Sequence, residues 1–90
     1  MESFQKDEIF EVVLPGNPTT GYSWVLDYKS DGVETIKDEY ITDSDRIGSP
    51  GNFIFTFQGK TKGRKYLTFI YKRPWEKDHV EEKTYSFTIL

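Results

Sequence analysis

The sequence predicts an all-β protein, an immunoglobulin-like β-sandwich or a small barrel of six to eight short, mostly antiparallel strands. Val, Ile, Thr and the aromatic residues, which favour strands, supply 36 of the 90 residues. Alanine is absent and leucine occurs four times, although a helical domain of this size would use both heavily. Short apolar or alternating runs are separated by turn-forming residues, and the length predicts a single domain spanning residues 1–90.

Six segments have the apolar runs or period-2 alternation of strands. In the second segment, alternation places Tyr22, Trp24, Leu26 and Tyr28 on one face, so Trp24 is expected in the core. The third segment carries many charges and is expected at a sheet edge. Pro15 is expected to end the first segment. The predicted strands are Ile9–Leu14, Tyr22–Tyr28, Val33–Ile41, Phe53–Gln58, Lys65–Lys72 and Lys83–Leu90.

Long polar loops follow the first, third and fifth predicted strands, and short glycine-containing turns follow the second and fourth. Because alternate connections of an antiparallel sandwich fall at the same end, the three long loops are expected to cluster there. The short connection Gly59–Gly63 is interpreted as a hairpin. The basic residues in this connection and directly after it are expected to be solvated; they are Lys60, Lys62, Arg64 and Lys65.

Several classes of site are disfavoured by composition. Without cysteine, and with His79 as the single histidine, the chain has no disulfide, thiolate zinc site or histidine metal cluster, and no cofactor is expected. His79 lies in a charged segment with no nucleophile signature, and Asp43 and Asp45 are interpreted as turn-formers, so an enzyme is not predicted. The net charge of −3 argues against nucleic-acid binding, and the lack of a long apolar run argues against membrane insertion.

Two motifs resemble those of the chagasin-type inhibitors of papain-like cysteine proteases, inhibitor family I42. The stretch 16–24 reads Gly-Asn-Pro-Thr-Thr-Gly-Tyr-Ser-Trp, and 72–75 reads Lys-Arg-Pro-Trp. That family carries Asn-Pro-Thr-Thr-Gly and an aromatic in its first loop and Arg-Pro-Trp in its third. Its middle motif, Gly-x-Gly-Gly, corresponds here to Gly48-Ser49-Pro50-Gly51, with Pro50 in place of a glycine.

The resemblance implies an immunoglobulin-like sandwich that blocks a protease active-site cleft with three loops and has no chemistry of its own. It also implies a monomer with one site, a papain-like (cathepsin-like) protease as partner, and lysosome-like, secretory or extracellular compartments. The residues that it assigns to protease binding are Asn17, Pro18, Thr19, Thr20, Gly21, Tyr22, Gly48, Ser49, Pro50, Gly51, Arg73, Pro74 and Trp75.

Physical chemistry suits several of these residues to such a role. Asn17 can hydrogen-bond the backbone two residues on, and Gly21 permits a positive φ. Thr19 and Thr20 would form a stiff tip with hydroxyls available to a cleft. Trp75 is expected to be exposed, as a binding hot spot would be. Arg73 is expected either to pair with an acidic residue of the sandwich or to contact the partner directly.

Two other interpretations stay open at this point. One is a sandwich module that binds carbohydrate or a cell-surface protein through Tyr22 and Trp75. The other is an adhesion or structural domain with no site. The chain also departs from the family at its start, where residues 1–4 alone are available for a first strand; a trimmed form or a domain of a longer precursor would both account for this.

Overall fold

The computed structural model describes residues 2–42 and 50–90, and the strands in these ranges form two sheets. A 3-10 turn, Pro18–Thr20, lies between the second and third strands. In chain order the described strands are β1 (Glu2–Phe4), β2 (Ile9–Gly16), β3 (Ser23–Lys29), β4 (Val33–Thr42), β5 (Gly51–Gly59), β6 (Gly63–Lys72) and β7 (Glu81–Ile89).

The two sheets form the sandwich that the alternation predicts. One sheet has the order β1-β7-β6-β3 and the other the order β2-β5-β4. Pairing is antiparallel except between β1 and β7, which run parallel. The six predicted strands correspond to β2–β7, with ends that differ by at most two residues. The all-β prediction is confirmed.

Inward-facing residues of both sheets meet in one core. Phe57 of β5 and Leu67 and Phe69 of β6 are fully enclosed, because the alternation of these central strands points them at the opposite sheet. Trp24 is buried, as predicted, and is 5% exposed. The other buried apolar residues are Phe10, Val12, Leu14, Val33, Phe55, Phe87 and Ile89.

Two local expectations were wrong. Tyr28 was placed on the face of Trp24, but it is 54% exposed, because the register slips between Leu26 and Tyr28. Such a bulge adds one residue and reverses the alternation beyond it. Pro15 was expected to end the first strand, but it pairs with Asn52 inside β2. β2 is an edge strand, where the missing proline N–H can face away from the ladder.

The interpretation of Gly59–Gly63 as a hairpin was also wrong, since β5 and β6 lie in different sheets. The connection therefore crosses between the layers. Lys65, expected to be solvated, is only 8% exposed. Its Nζ donates to the Asp31 carbonyl at 2.9 Å and to the Thr61 hydroxyl at 2.8 Å, which ties this connection to the turn after β3.

Pairing of the strand ends places the long loops together. Gly16 at the end of β2 pairs with Gly51, which also pairs with Thr42, so the first and second loops leave the three-stranded sheet side by side. Ser23 pairs with Lys72, which puts the end of the first loop beside the start of the third. No helix in the described ranges is long and apolar enough to cross a membrane.

Replacing Lys65 tests whether it ties the connection after β5 to the turn after β3. We expect Lys65→Ala to lower the free energy of unfolding by about 1–3 kcal/mol, because it removes two hydrogen bonds from an ammonium group and the packing of its stem. Lys62→Ala, at an exposed position of the same connection, is the control and should change stability by less than about 0.5 kcal/mol. Urea unfolding measures both, and equal effects would contradict this assignment.

Candidate functional site

The first loop is a turn closed by its own side chains. The Asn17 Oδ1 accepts hydrogen bonds from the Thr19 backbone N–H at 3.1 Å and from the Thr19 hydroxyl at 2.6 Å. The Thr20 hydroxyl donates to the Asn17 carbonyl at 2.8 Å. Asn17 therefore bonds the backbone two residues on, as expected for an Asx turn. Both threonine hydroxyls use their protons within the loop, which leaves their lone pairs for a partner.

Gly21 fits the loop for two separate reasons. Its φ of +89° lies in the left-handed region, which side chains with a Cβ resist. A Cβ at this position would also stand 3.1 Å from the Cη2 atom of Trp75. The first loop therefore forms the surface on which the indole of the third loop rests.

Arg73 joins the first loop to the third. Its guanidinium donates to the Tyr22 hydroxyl at 2.9 Å and lies over the Tyr22 ring, 4.5 Å from the centroid. It also forms an ion pair with Glu76, Nε to Oε1 at 3.1 Å, and approaches the Trp75 ring at 6.0 Å. Arg73 was expected either to pair with an acidic residue of the sandwich or to contact the partner; its acidic partner, Glu76, instead lies in the third loop itself. The contacts of Arg73 with Tyr22 and Glu76 hold the third loop against the first.

Trp75 is the most exposed large apolar residue among those described, at 69%. Pro74 beside it is also exposed. The two tryptophans therefore divide as predicted, one in the core and one in solvent. An exposed indole that already rests on Gly21 and Arg73 loses little freedom on binding, which favours a role as an anchor.

The second loop is described only in part. Gly48 and Ser49 lie outside the described residues, and Pro50 is exposed. Gly51 is buried at the start of β5, where a Cβ would overlap the carbonyl of Ile41. The absence of a side chain at Gly51 is thus needed for close pairing of β4 with β5.

Comparison with known proteins identifies the family of this chain. Residues 3–89 match the family model described as chagasin family peptidase inhibitor I42. The chain belongs to this family. Its relatives include amoebiasin-1 of Entamoeba histolytica, 32% identical over 87 residues that cover 93% of this chain and 82% of that protein. Chagasin of Trypanosoma cruzi is 31% identical over 74 residues, covering 76% of this chain and 67% of its own.

The fold of this chagasin-family protein also matches solved structures. The crystal structure of the cysteine protease inhibitor EhICP2 from Entamoeba histolytica superimposes with a TM-score of 0.84 at 26% identity, over 99% of this chain and 85% of that one. The predicted family and immunoglobulin-like fold are confirmed. Membership in a family of peptidase inhibitors also confirms that the protein is not an enzyme. Among the described residues, no group of acidic or histidine side chains could hold a metal ion.

Two residues at this end were missed by the sequence analysis. Neither Tyr71 nor Tyr40 was singled out there. In the structure, the Tyr71 hydroxyl accepts a hydrogen bond from the Asn17 N–H at 3.4 Å, and the Tyr40 hydroxyl donates to the Gly16 carbonyl at 3.3 Å. The available signal was a tyrosine, rather than phenylalanine, near the loop end of each strand.

The contact between Gly21 and Trp75 can be tested by comparing Gly21 with Gly63, a second glycine with a positive φ. We expect Gly21→Ala to cost about 1–2 kcal/mol for the left-handed backbone and also to displace the indole of Trp75. Gly63 has a φ of +122°, and a methyl group added there would meet nothing within 4 Å, so Gly63→Ala carries the backbone cost alone. In ¹H–¹⁵N spectra the Trp75 indole signal should move only in Gly21→Ala, with the Trp24 signal unchanged; a fixed Trp75 signal would contradict the contact.

Proposed function

We propose that this protein is a reversible, tight-binding inhibitor of papain-like cysteine proteases that blocks the active-site cleft with the three loops at one end of its sandwich. The observation that carries the proposal is the contact between the first and third loops. The two sequence motifs that match the family meet at Gly21 and Trp75, and Arg73 links them through Tyr22.

The first loop suits the centre of the cleft. Asn17–Tyr22 carries no formal charge, so its burial against a protease requires no desolvation of an ion. Its turn is already closed by the hydrogen bonds of Asn17, Thr19 and Thr20, which reduces the entropy lost on binding.

The same hydrogen bonds explain how such a loop would resist cleavage. A peptide that adds to a protein as a strand must be extended. Residues 18–20 instead form a 3-10 turn, and the Thr20 N–H bonds back to the Asn17 carbonyl at 3.3 Å. To extend this segment, the protease would have to break those bonds and move Trp75 off Gly21.

The third loop supplies an anchor at the side of the cleft. Trp75 offers a large exposed ring beside a guanidinium, a pair of residue types enriched at binding hot spots. If the contact has the standard size of about 1,600 Å² in total, preorganised loops would reach nanomolar affinity or better.

Titration of papain with a fluorogenic peptide substrate tests the proposal. We expect nanomolar inhibition by a protein that stays intact on long incubation. Thr19→Asp should raise the inhibition constant by at least about 100-fold, since it forces a carboxylate into a narrow cleft at a cost of several kcal/mol. Thr35→Asp, an exposed position near the far end of β4, is the control and should inhibit normally.

The same pair of variants separates the other interpretations. A module that grips carbohydrate or a surface protein through Trp75 would tolerate Thr19→Asp, and a domain without a site would tolerate changes in every loop. A folded protein that leaves papain and a panel of cathepsins fully active would overturn the inhibitor proposal.

The contribution of the anchor can be measured in the same assay. We expect Trp75→Ala to weaken inhibition by about 30-fold or more, which corresponds to the 2 kcal/mol threshold of a hot spot. Val80 lies at the end of the same loop and is 66% exposed, so Val80→Ala is the control that truncates another exposed apolar side chain of this loop. Its inhibition constant should stay within about twofold of the parent, and equal losses in both variants would contradict the assignment of Trp75.

A further inference from the structure

Aromatic side chains from both sheets form hydrogen bonds with the backbone at the entry to the first loop. In each of three consecutive residues at the end of β2 and the start of the loop, one backbone group forms a hydrogen bond with the polar atom of an aromatic residue. The bonds run from Trp24 Nε1 to the Pro15 carbonyl at 2.9 Å, from the Tyr40 hydroxyl to the Gly16 carbonyl at 3.3 Å, and from the Asn17 N–H to the Tyr71 hydroxyl at 3.4 Å.

Tyr71 also contacts the far end of the first loop and the base of the third. Its ring stacks on Tyr22 with centroids 5.3 Å apart and packs on Trp24 at 4.9 Å. Its carbonyl accepts the Val80 N–H at 2.9 Å, which closes the third loop where it re-enters the sheet. A single side chain thus supports the first loop at Asn17 and at Tyr22.

We propose that Tyr40 and Tyr71 are positioning residues for inhibition, whose hydroxyls hold the first loop in the shape that the cleft receives. The proposal rests on the function proposed above. Neither residue belongs to the loops that would contact the protease; both act through the backbone of Gly16 and Asn17.

The hydroxyl groups, rather than the rings, distinguish this role from core packing. Tyr40 packs on Phe53 with centroids 4.8 Å apart, and a phenylalanine at position 40 would fill the same space. Deeper in the sandwich, Phe55, Phe57 and Phe69 form such contacts without a polar atom. The hydroxyls occur where strand ends meet the loop, and they come from opposite sheets, β4 and β6, so the loop entry is held from two sides.

The test removes single oxygen atoms. Tyr71→Phe, Tyr40→Phe and the double variant are compared with Tyr85→Phe, which alters a half-buried tyrosine that packs on Phe69, 5.8 Å between centroids. Two quantities are measured: hydrogen exchange of the Asn17 amide in the free protein, and the dissociation rate from papain. Mass spectrometry of the complex after long incubation detects cleavage within residues 17–22.

We expect Tyr71→Phe to speed exchange of the Asn17 amide and dissociation from papain by roughly three- to tenfold each, as loss of one hydrogen bond predicts. Tyr40→Phe should speed dissociation to a similar degree, and the double variant should dissociate fastest and be cut slowly in the first loop. Tyr85→Phe should behave as the parent in both measurements, even if its melting temperature falls.

Parent-like exchange and dissociation in both single variants would overturn the proposal, as would equal acceleration in Tyr85→Phe. A parent protein that does not inhibit papain would overturn the proposed function instead. In that case exchange of the Asn17 amide, measured without protease, still decides whether the Tyr71 hydroxyl holds the loop.

Discussion

Phe69 of the four-stranded sheet packs against Phe55 and Phe57 of the three-stranded sheet, at centroid distances of 4.8 and 6.2 Å, and this contact joins the two layers. With no cysteine in the chain, burial of such apolar surface has to hold a 90-residue sandwich together. Aromatic rings suit this task because each buries a large area and few are needed to fill the space between two short sheets. Because the loops leave the ends of strands in both sheets, their relative positions depend on this packing between the sheets.

The aromatic packing continues from the core to the exposed end of the molecule. Trp24 contacts Tyr71, Tyr71 stacks on Tyr22, and the Arg73 guanidinium covers Tyr22 and approaches Trp75. From Trp24 to Arg73 the side chains in this series become more polar, from tryptophan to tyrosine to arginine. An exposed Trp75 is thereby connected to a rigid interior, so ordering it at an interface costs less than ordering a free side chain.

Alternation of apolar residues was enough to predict β2–β7 within two residues, because the inward face of each strand repeats with period two. It failed at Tyr28, where a register shift against the partner strand reverses the faces. The expectation that Lys65 is solvated came from the hairpin interpretation, and it failed because the burial of Lys65 depends on a turn distant in sequence. The motifs predicted the loop residues, and the structure brings Gly21, Arg73 and Trp75 together. The hydrogen bond from Tyr40 to Gly16 was missed, because a tyrosine near a strand end was its one signal in the sequence and the bond depends on where the hydroxyl points rather than on which face the residue occupies.

The edge strands of the sandwich carry features that oppose pairing with another chain. An edge strand offers unpaired backbone groups to any other strand, and bulges, prolines and charges oppose such pairing. β3 and β4 each contain a register shift, β2 contains Pro15, and β4 carries Lys37 and Glu39 as an exposed ion pair. β1 covers the edge of β7 only at residues 87–89. In the part of β7 that β1 does not cover, the ammonium group of Lys83 lies over the Trp24 ring, 5.5 Å from its centroid, and so places a charge close to the core. Among the described strands, these features oppose edge-to-edge pairing between copies of the chain, while Trp75 stays exposed on its loop.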